Sequence, residues 1–497
     1  MERIGIIDLG SNALRMNIIE IANDGSFRLI SEMSETVRLS EKIESDNLLK
    51  AEAMERTIAT IKLFKGIIKS FGVMTVLAVA TAAARRATNG GHFIDLIYEE
   101  TGIQFQIITG EREADLGLLA VFNTIKKENG YVLDVGGAST EVTLFRSKKR
   151  IESISLPFGA VTLSEKFGIL GGVKMENYIK EELGNIKWLK NGREKTVIGV
   201  GGTAKVLGDM VRARIDYSMN SSYNMNVDWT QISSICSELK AKSIEERSHM
   251  KGLPKDRADV ILAGAIIVLE LIKTIEGHSF LICNNGIRGG LFYEYYMERY
   301  ELLSIENICR FSVDNLAKIY KINTHHSRHV EKLALGIYKS LYELGGFVEP
   351  GWDMLLSLGA QLHDAGIVID YENREMHTYY LIINSNIFGI SHRDLAMVAI
   401  IAAKLPRERI GDYILKHTDL LSFDDKTTLV ILTSILEMAD RLDRSKEQLI
   451  KELKISRNGD IMVLEILNTG DPSLEMAEAN RFVPELEEVF NTRLIVV

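Results

Sequence analysis

The chain has 497 residues, 46% of them hydrophobic, and a formal net charge of −9; it is too long for one core and has enough apolar content to bury about two to four. The acidic balance argues against general nucleic-acid binding, which rests on neutralising phosphates with Lys and Arg, so a polyanionic ligand would need a local basic path. Three cysteines, Cys236, Cys283 and Cys309, lack metal-ligand spacing and cannot build a disulfide framework, which fits a reducing, cytoplasmic setting; no signal peptide is expected at the N-terminus, and the apolar runs are too short or too charged to cross a membrane.

In chain order, strands are expected over 4–8, 14–21 and 27–37. The first ends in Asp8-Leu9-Gly10-Ser11-Asn12: an apolar run, a carboxylate, a glycine and small polar residues, then a second strand. A helix over 50–70 and a buried strand over 73–79 follow. Arg85 stands just past that strand, where open α/β sheets place ligands, and can serve as a phosphate clamp or a surface ion pair. A strand over 103–109 closes at Gly110. Glu111, Glu113 and Asp115 then crowd the first turn of a helix, where acids can also simply complement the dipole.

The opening design recurs in Asp134-Val135-Gly136-Gly137-Ala138-Ser139-Thr140-Glu141. Glycines let backbone N–H groups approach phosphate oxygens, Ser139 and Thr140 offer hydroxyl donors, and Asp134 can hold a divalent cation directly or through water. A hairpin with a glycine bulge is the plainer alternative, and the duplication weighs against it. A third turn, Gly199-Val200-Gly201-Gly202-Thr203, leads into a helical pattern whose N-terminus can bind an anion. A helix over 258–275, a strand over 279–283 and Asn285-Gly286-Ile287-Arg288-Gly289-Gly290 complete this part; Arg288 can touch phosphate or brace the domains.

Near residue 300 the pattern turns almost wholly helical. His326, His363-Asp364 and Asp440 lie on three separate predicted helices, and His377 and His392 are further polar candidates. From Arg441 to Arg457 the basic residues Arg441, Arg444, Lys446, Lys451, Lys454 and Arg457 gather, either as a solvated helix face or as the lining of an anion groove. The last stretch reads as strands over 460–467 and 493–497 around a short helix.

Six ordered segments, Asp8 to Asn12, Ala80 to Arg85 with Asn89-Gly90, Gly110 to Ala114, Asp134 to Glu141, Gly199 to Thr203 and Asn285 to Gly290, resemble the motifs of the exopolyphosphatase/guanosine pentaphosphate phosphohydrolase (Ppx/GppA) family of the actin-like ATPase superfamily. The resemblance implies an α/β fold with a duplicated ribonuclease H-like core (1–125 and 126–300) and an all-helical HD-like domain (301–457); the last stretch, outside the resemblance, reads as a small α+β appendix (458–497). It also implies hydrolysis of terminal phosphate from inorganic polyphosphate; pppGpp 5′-phosphohydrolysis and a weakly catalytic polyphosphate- or nucleotide-sensing regulator are the alternatives. Mg²⁺, with or without a monovalent cation such as K⁺, and a homodimer are expected with it.

By motif position, Glu113 would be the general base and Glu141 its partner at water or metal, with Asp8 and Asp134 orienting metal. Gly10, Ser11, Asn12, Arg85, Gly136, Gly137, Ser139, Gly201, Gly202, Thr203 and Arg288 would hold phosphates. His326, His363, Asp364 and Asp440 resemble the convergent metal set of HD domains, or a retained fold serving binding and dimerisation without catalysis. Ala82, Ala138 and Gly289 depart from the family's usual serine, third glycine and glutamate, changes that can retune phosphate contacts.

Overall fold

Residues 4–7 are buried completely or nearly so and form the centre of β1 (Glu2–Leu9). In the computed structural model, which describes residues 1–43, 46–168, 171–190, 192 and 194–497, β1 pairs antiparallel with β2 (Ala13–Ile21), and β2 with β3 (Phe27–Thr36). On its other side β1 runs parallel to β4 (Thr75–Ala80), and β4 to β5 (Gln106–Ile107). The order is β3-β2-β1-β4-β5. A second sheet repeats it. There β6 (Asn129–Val135), β7 (Thr140–Arg146) and β8 (Lys149–Leu156) are antiparallel neighbours, while β6, β9 (Thr196–Val200) and β11 (Ser279–Ile282) run parallel. The short β10 (Asn226–Asp228) is added at the edge, beside β11. Two antiparallel pairings and two parallel ones, in the same order, make the expected duplicated ribonuclease H-like, actin-like core.

The chain divides into two units, residues 1–217 with 221–308, and 309–497 with 218–220. Within the first, the helix Ile287–Arg299 corrects the expected split at 125/126 and 300. Phe292 meets Phe27 of β3 with ring centroids 4.6 Å apart, and the Tyr296 hydroxyl donates to the Gly25 carbonyl at 2.8 Å. At Gly290 a Cβ would strike the Leu116 carbonyl of the helix Gly110–Phe122, so the missing side chain permits that close approach. The helix therefore belongs with the first sheet, and the second half is an insertion ahead of it. The expected strand over 103–109 pairs only at Gln106 and Ile107; Ile103, Phe105 and Ile108 are buried as irregular chain instead.

The second unit is mostly helical, from Ile308–Ile319 through Asp425–Arg441, and ends in a three-stranded sheet: β12 (Ile450–Asn458), β13 (Ile461–Asn468) and β14 (Arg493–Val496). Three expectations change here. The basic run is not one helix face, because it spans a helix end, a turn and β12. The boundary at 457/458 falls inside a β-hairpin: Ile455, Met462 and Leu464 share an apolar pocket with Ile337, Leu341 and Met438 of the helices, so sheet and helices have one core. The helix between the last strands is not short; it runs Ser473–Phe490. Among the described residues no helix is long and apolar enough to cross a membrane.

Candidate active site

Both opening hairpins close in the same way. The Gly10 N–H donates to the Ala13 carbonyl at 3.1 Å, and the Gly136 N–H to the Ser139 carbonyl at 3.0 Å. Register then sets Arg15 opposite Asp8 in the first hairpin and Glu141 opposite Asp134 in the second. The two turns meet: a Cβ on Gly137 would lie 3.0 Å from Ser11 Cβ and 3.2 Å from the Asn12 nitrogen. The third turn joins them. Gly201 has a φ of +78°, in the left-handed region that favours glycine, and a Cβ there would collide with the Asp134 carboxylate. Thr203 Oγ1 donates to the Val135 carbonyl at 2.9 Å, fastening this turn to the end of β6.

Glu113 lies in the first turn of the helix Gly110–Phe122, which is capped by Thr109 accepting from the Arg112 N–H. The Arg85 guanidinium, on the five-residue helix after β4, bridges the two glutamates. Its Nη1 donates to Glu113 Oε2 at 3.0 Å and to the Ile108 carbonyl at 2.9 Å, while Nη2 is 3.9 Å from Glu141 Oε1. Ser155 Oγ donates to the same Glu141 oxygen at 2.8 Å. Glu141 Oε2, Asp8 Oδ1 and Asn12 Nδ2 are buried with no hydrogen-bond partner. Unpartnered polar atoms of this kind are costly in an apolar interior, and they cluster beside the glycine turns.

The electrostatics agree. Burial, with Glu141 and Asp134 nearby, pushes the Glu113 carboxyl well above its ordinary range, against the pull of Arg85. Asp134 is raised to about 7 by burial and by its neighbours Glu141 and Asp8. Asp8 and Glu141 are raised as well, burial being the main cause in each. These carboxylates crowd together with too little positive charge to balance them, so the site suits a cation or a cation-bound anion. Their oxygens do not converge tightly enough for an all-protein cage, and the donor set fits Mg²⁺ held by one or two carboxylates with substrate and water completing the shell.

Some expected residues have other partners. Arg288 donates to Asn17 Oδ1 and, at 2.9 Å, to Glu32 Oε1, which makes it a brace on β2 and β3. Thr140 gives its hydroxyl to the Phe158 carbonyl at 2.8 Å. Ala138 sits where a third glycine was expected, without a left-handed φ, and its carbonyl accepts from Arg86 at 3.1 Å. Arg15 and Arg257 escaped the sequence reading. A Cβ on Gly202 would run into both guanidinium groups, so they stand over the third turn, and burial beside Arg15 lowers Arg257 to about 10. The signal for Arg15 was its spacing, since it follows Asp8 in the hairpin as Glu141 follows Asp134.

In the second unit His326, His363 and Asp440 do converge, their ligand atoms lying within 4.8 Å of one another. His326 Nε2 is 3.0 Å from Asp440 Oδ1 and its Nδ1 is 2.7 Å from Asp443 Oδ2. Asp364 is 3.6 Å from His363 and accepts from Lys446 at 3.0 Å. His377 and His392 are not in this group. The buried Lys404 donates to Asp440 and lies 3.4 Å from Glu437. An internal ammonium thus already meets the carboxylate that a divalent cation would use. Asp440 is held well below its ordinary range by Lys404 and the two imidazoles, despite its burial.

Comparison with known proteins gives the same division. Residues 18–298 match the Ppx/GppA phosphatase family, and residues 308–471 match the Ppx/GppA phosphatase domain III. A solved Aquifex aeolicus member of the Ppx/GppA protein family is 30% identical, with a TM-score of 0.51, over 60% of this chain and 98% of that one. A solved structure of an Aquifex aeolicus PPX-GPPA enzyme is 31% identical, with a TM-score of 0.50, over 59% and 99%. An exopolyphosphatase from Cytophaga hutchinsonii shares the fold at 24% identity, with a TM-score of 0.56, over 60% and 98%.

Proposed function

Because the chain belongs to the Ppx/GppA phosphatase family, we propose that it is an exopolyphosphatase, releasing the terminal phosphate of inorganic polyphosphate by direct attack of water. The observation that carries this reading is the Arg85 guanidinium bridging two buried glutamates beside glycine turns that face each other. In its ionised form Glu113 accepts a proton from the attacking water while Glu141 orients that water. The new bond forms from the water oxygen to the terminal phosphorus, and the bond to the bridging oxygen breaks. The amides around Gly10, Gly136 and Gly201 and the guanidinium groups of Arg15 and Arg257 hold the phosphate oxygens. Asp8 and Asp134 would hold Mg²⁺, which when bound neutralises charge on those oxygens.

A protein nucleophile is not needed. The described cysteines are buried, with Cys283 pushed up to about 11 and Cys236 to about 12, far from a reactive thiolate. The test is phosphate release measured side by side from long polyphosphate, tripolyphosphate, pppGpp and ATP. Release is expected to be fastest per enzyme from long polyphosphate; faster release from pppGpp would reassign the substrate.

A further inference from the structure

The second unit contains an open cavity of about 340 Å³ that plays no part in the chemistry above. One wall is the start of the helix Thr324–Leu344, where His325, Arg328, His329 and Lys332 share a face by their three- and four-residue spacing. The other wall is Gln448 and Lys451, at the entry to β12. No carboxylate lines it. The Lys332 ammonium donates to the Lys451 carbonyl at 2.7 Å and the Lys451 ammonium to the Gln448 carbonyl at 2.8 Å; among the described residues neither has a carboxylate within ion-pair distance. Arg328 reaches Asp314 at 3.5 Å, outside the lining.

A cluster of like charges is unfavourable in itself, and Arg328 and Lys332 stand at the i,i+4 spacing where repulsion is felt. His329, 8% exposed, completes this wall. With the charges of Lys332 and Lys451 unanswered by any described carboxylate within ion-pair distance, the cavity lacks one component, an anion rich in oxygen acceptors.

We propose that this cavity binds a phosphate-type anion, either inorganic phosphate or a segment of linked phosphates, through Lys332 and Lys451. It is a second anion site, distinct from the glycine turns, and does not depend on how the hydrolytic centre works.

The test is calorimetric titration of the full chain with two probes that the enzyme does not hydrolyse, inorganic phosphate and methylenebisphosphonate, in the parent and in Lys332→Ala/Lys451→Ala. Both lysines are exposed, so the double variant should fold. The parent is expected to show a class of sites that the double variant loses or binds about tenfold or more weakly, while hydrolysis of tripolyphosphate is unchanged. Lysine-dependent binding of inorganic phosphate identifies a single phosphate as sufficient; lysine-dependent binding of the bisphosphonate alone identifies a linked pair. Identical isotherms for parent and double variant with both probes overturn the proposal.

Discussion

In the first unit the carboxyls of Asp8, Glu113, Asp134 and Glu141 are all held above their ordinary range, whereas in the second Asp364 and Asp440 are held below it. Burial acts in the same direction on both groups, so it cannot be the difference. The difference is the supply of cations: Lys404, Lys446 and His326 reach the second group directly, while in the first Arg85 is shared between two glutamates, and the pull of Arg15 and Arg288 on Asp8 does not outweigh its burial. A buried acidic cluster that lacks positive charge favours a ligand that brings it; one already supplied with cations from within gains less from a metal, though His363 Nε2 is left there with no hydrogen-bond partner.

The sharpest way to break this contrast is Glu113→Gln. Turnover should fall by about 10²–10⁴-fold with little change in KM, and near-normal turnover would remove Glu113 from the chemistry. Lys404→Met comes next, because it strips Asp440 of its internal cation. Loss of about 3–5 kcal/mol in denaturant unfolding is expected, with partial recovery when Mn²⁺ is added to the variant; stoichiometric Mn²⁺ binding by the parent would collapse the distinction.

Asp134→Asn tests the unbalanced side. The Asp134 carboxyl sits at about 7 when folded against an ordinary 3.8, so the folded state holds its proton more tightly. That stability is full below about 4 and is lost as pH rises through 7. In metal-free buffer the variant should lack this loss, gaining stability over the parent at pH 8 and little at pH 4, and Mg²⁺ should raise Tm in the parent more than in the variant.

Arg85→Gln should move the acidic limb of the kcat/KM profile to higher pH, because Arg85 lowers both glutamates and the base must be ionised. Smallest of all, Ala138→Gly should change turnover less than about threefold, since no left-handed φ demands a glycine there.

Much of this was legible from residue order. The repeated apolar-Asp-x-Gly pattern announced two like halves, because a period-two strand ending in a glycine turn leaves little other room for the chain. What stayed hidden depended on contacts distant in sequence. Arg257 acts over a turn more than fifty residues before it, and Lys404 meets Asp440 through helix packing that no local spacing encodes. Arg288 was visible as a conspicuous arginine, but its hydrogen bonds to Asn17 and Glu32 follow from the return of its helix to the first sheet. The basic stretch 441–457 misled because charge spacing alone does not separate a helix face from a turn followed by a strand.

That return of the helix Ile287–Arg299 has a mechanical side. With both flanks of the insertion anchored on the first half, the second half hangs from two covalent crossings, one leaving near Thr124 and one re-entering near Cys283. These touch: Thr124 Oγ1 and Cys283 Sγ are 3.7 Å apart, and the Tyr223 hydroxyl clasps the Thr124 carbonyl at 2.7 Å. Two tethers gathered at one point are where a pivot would lie, so a swing of one lobe on the other would open or shut the space between the facing glycine turns while its floor kept its covalent join.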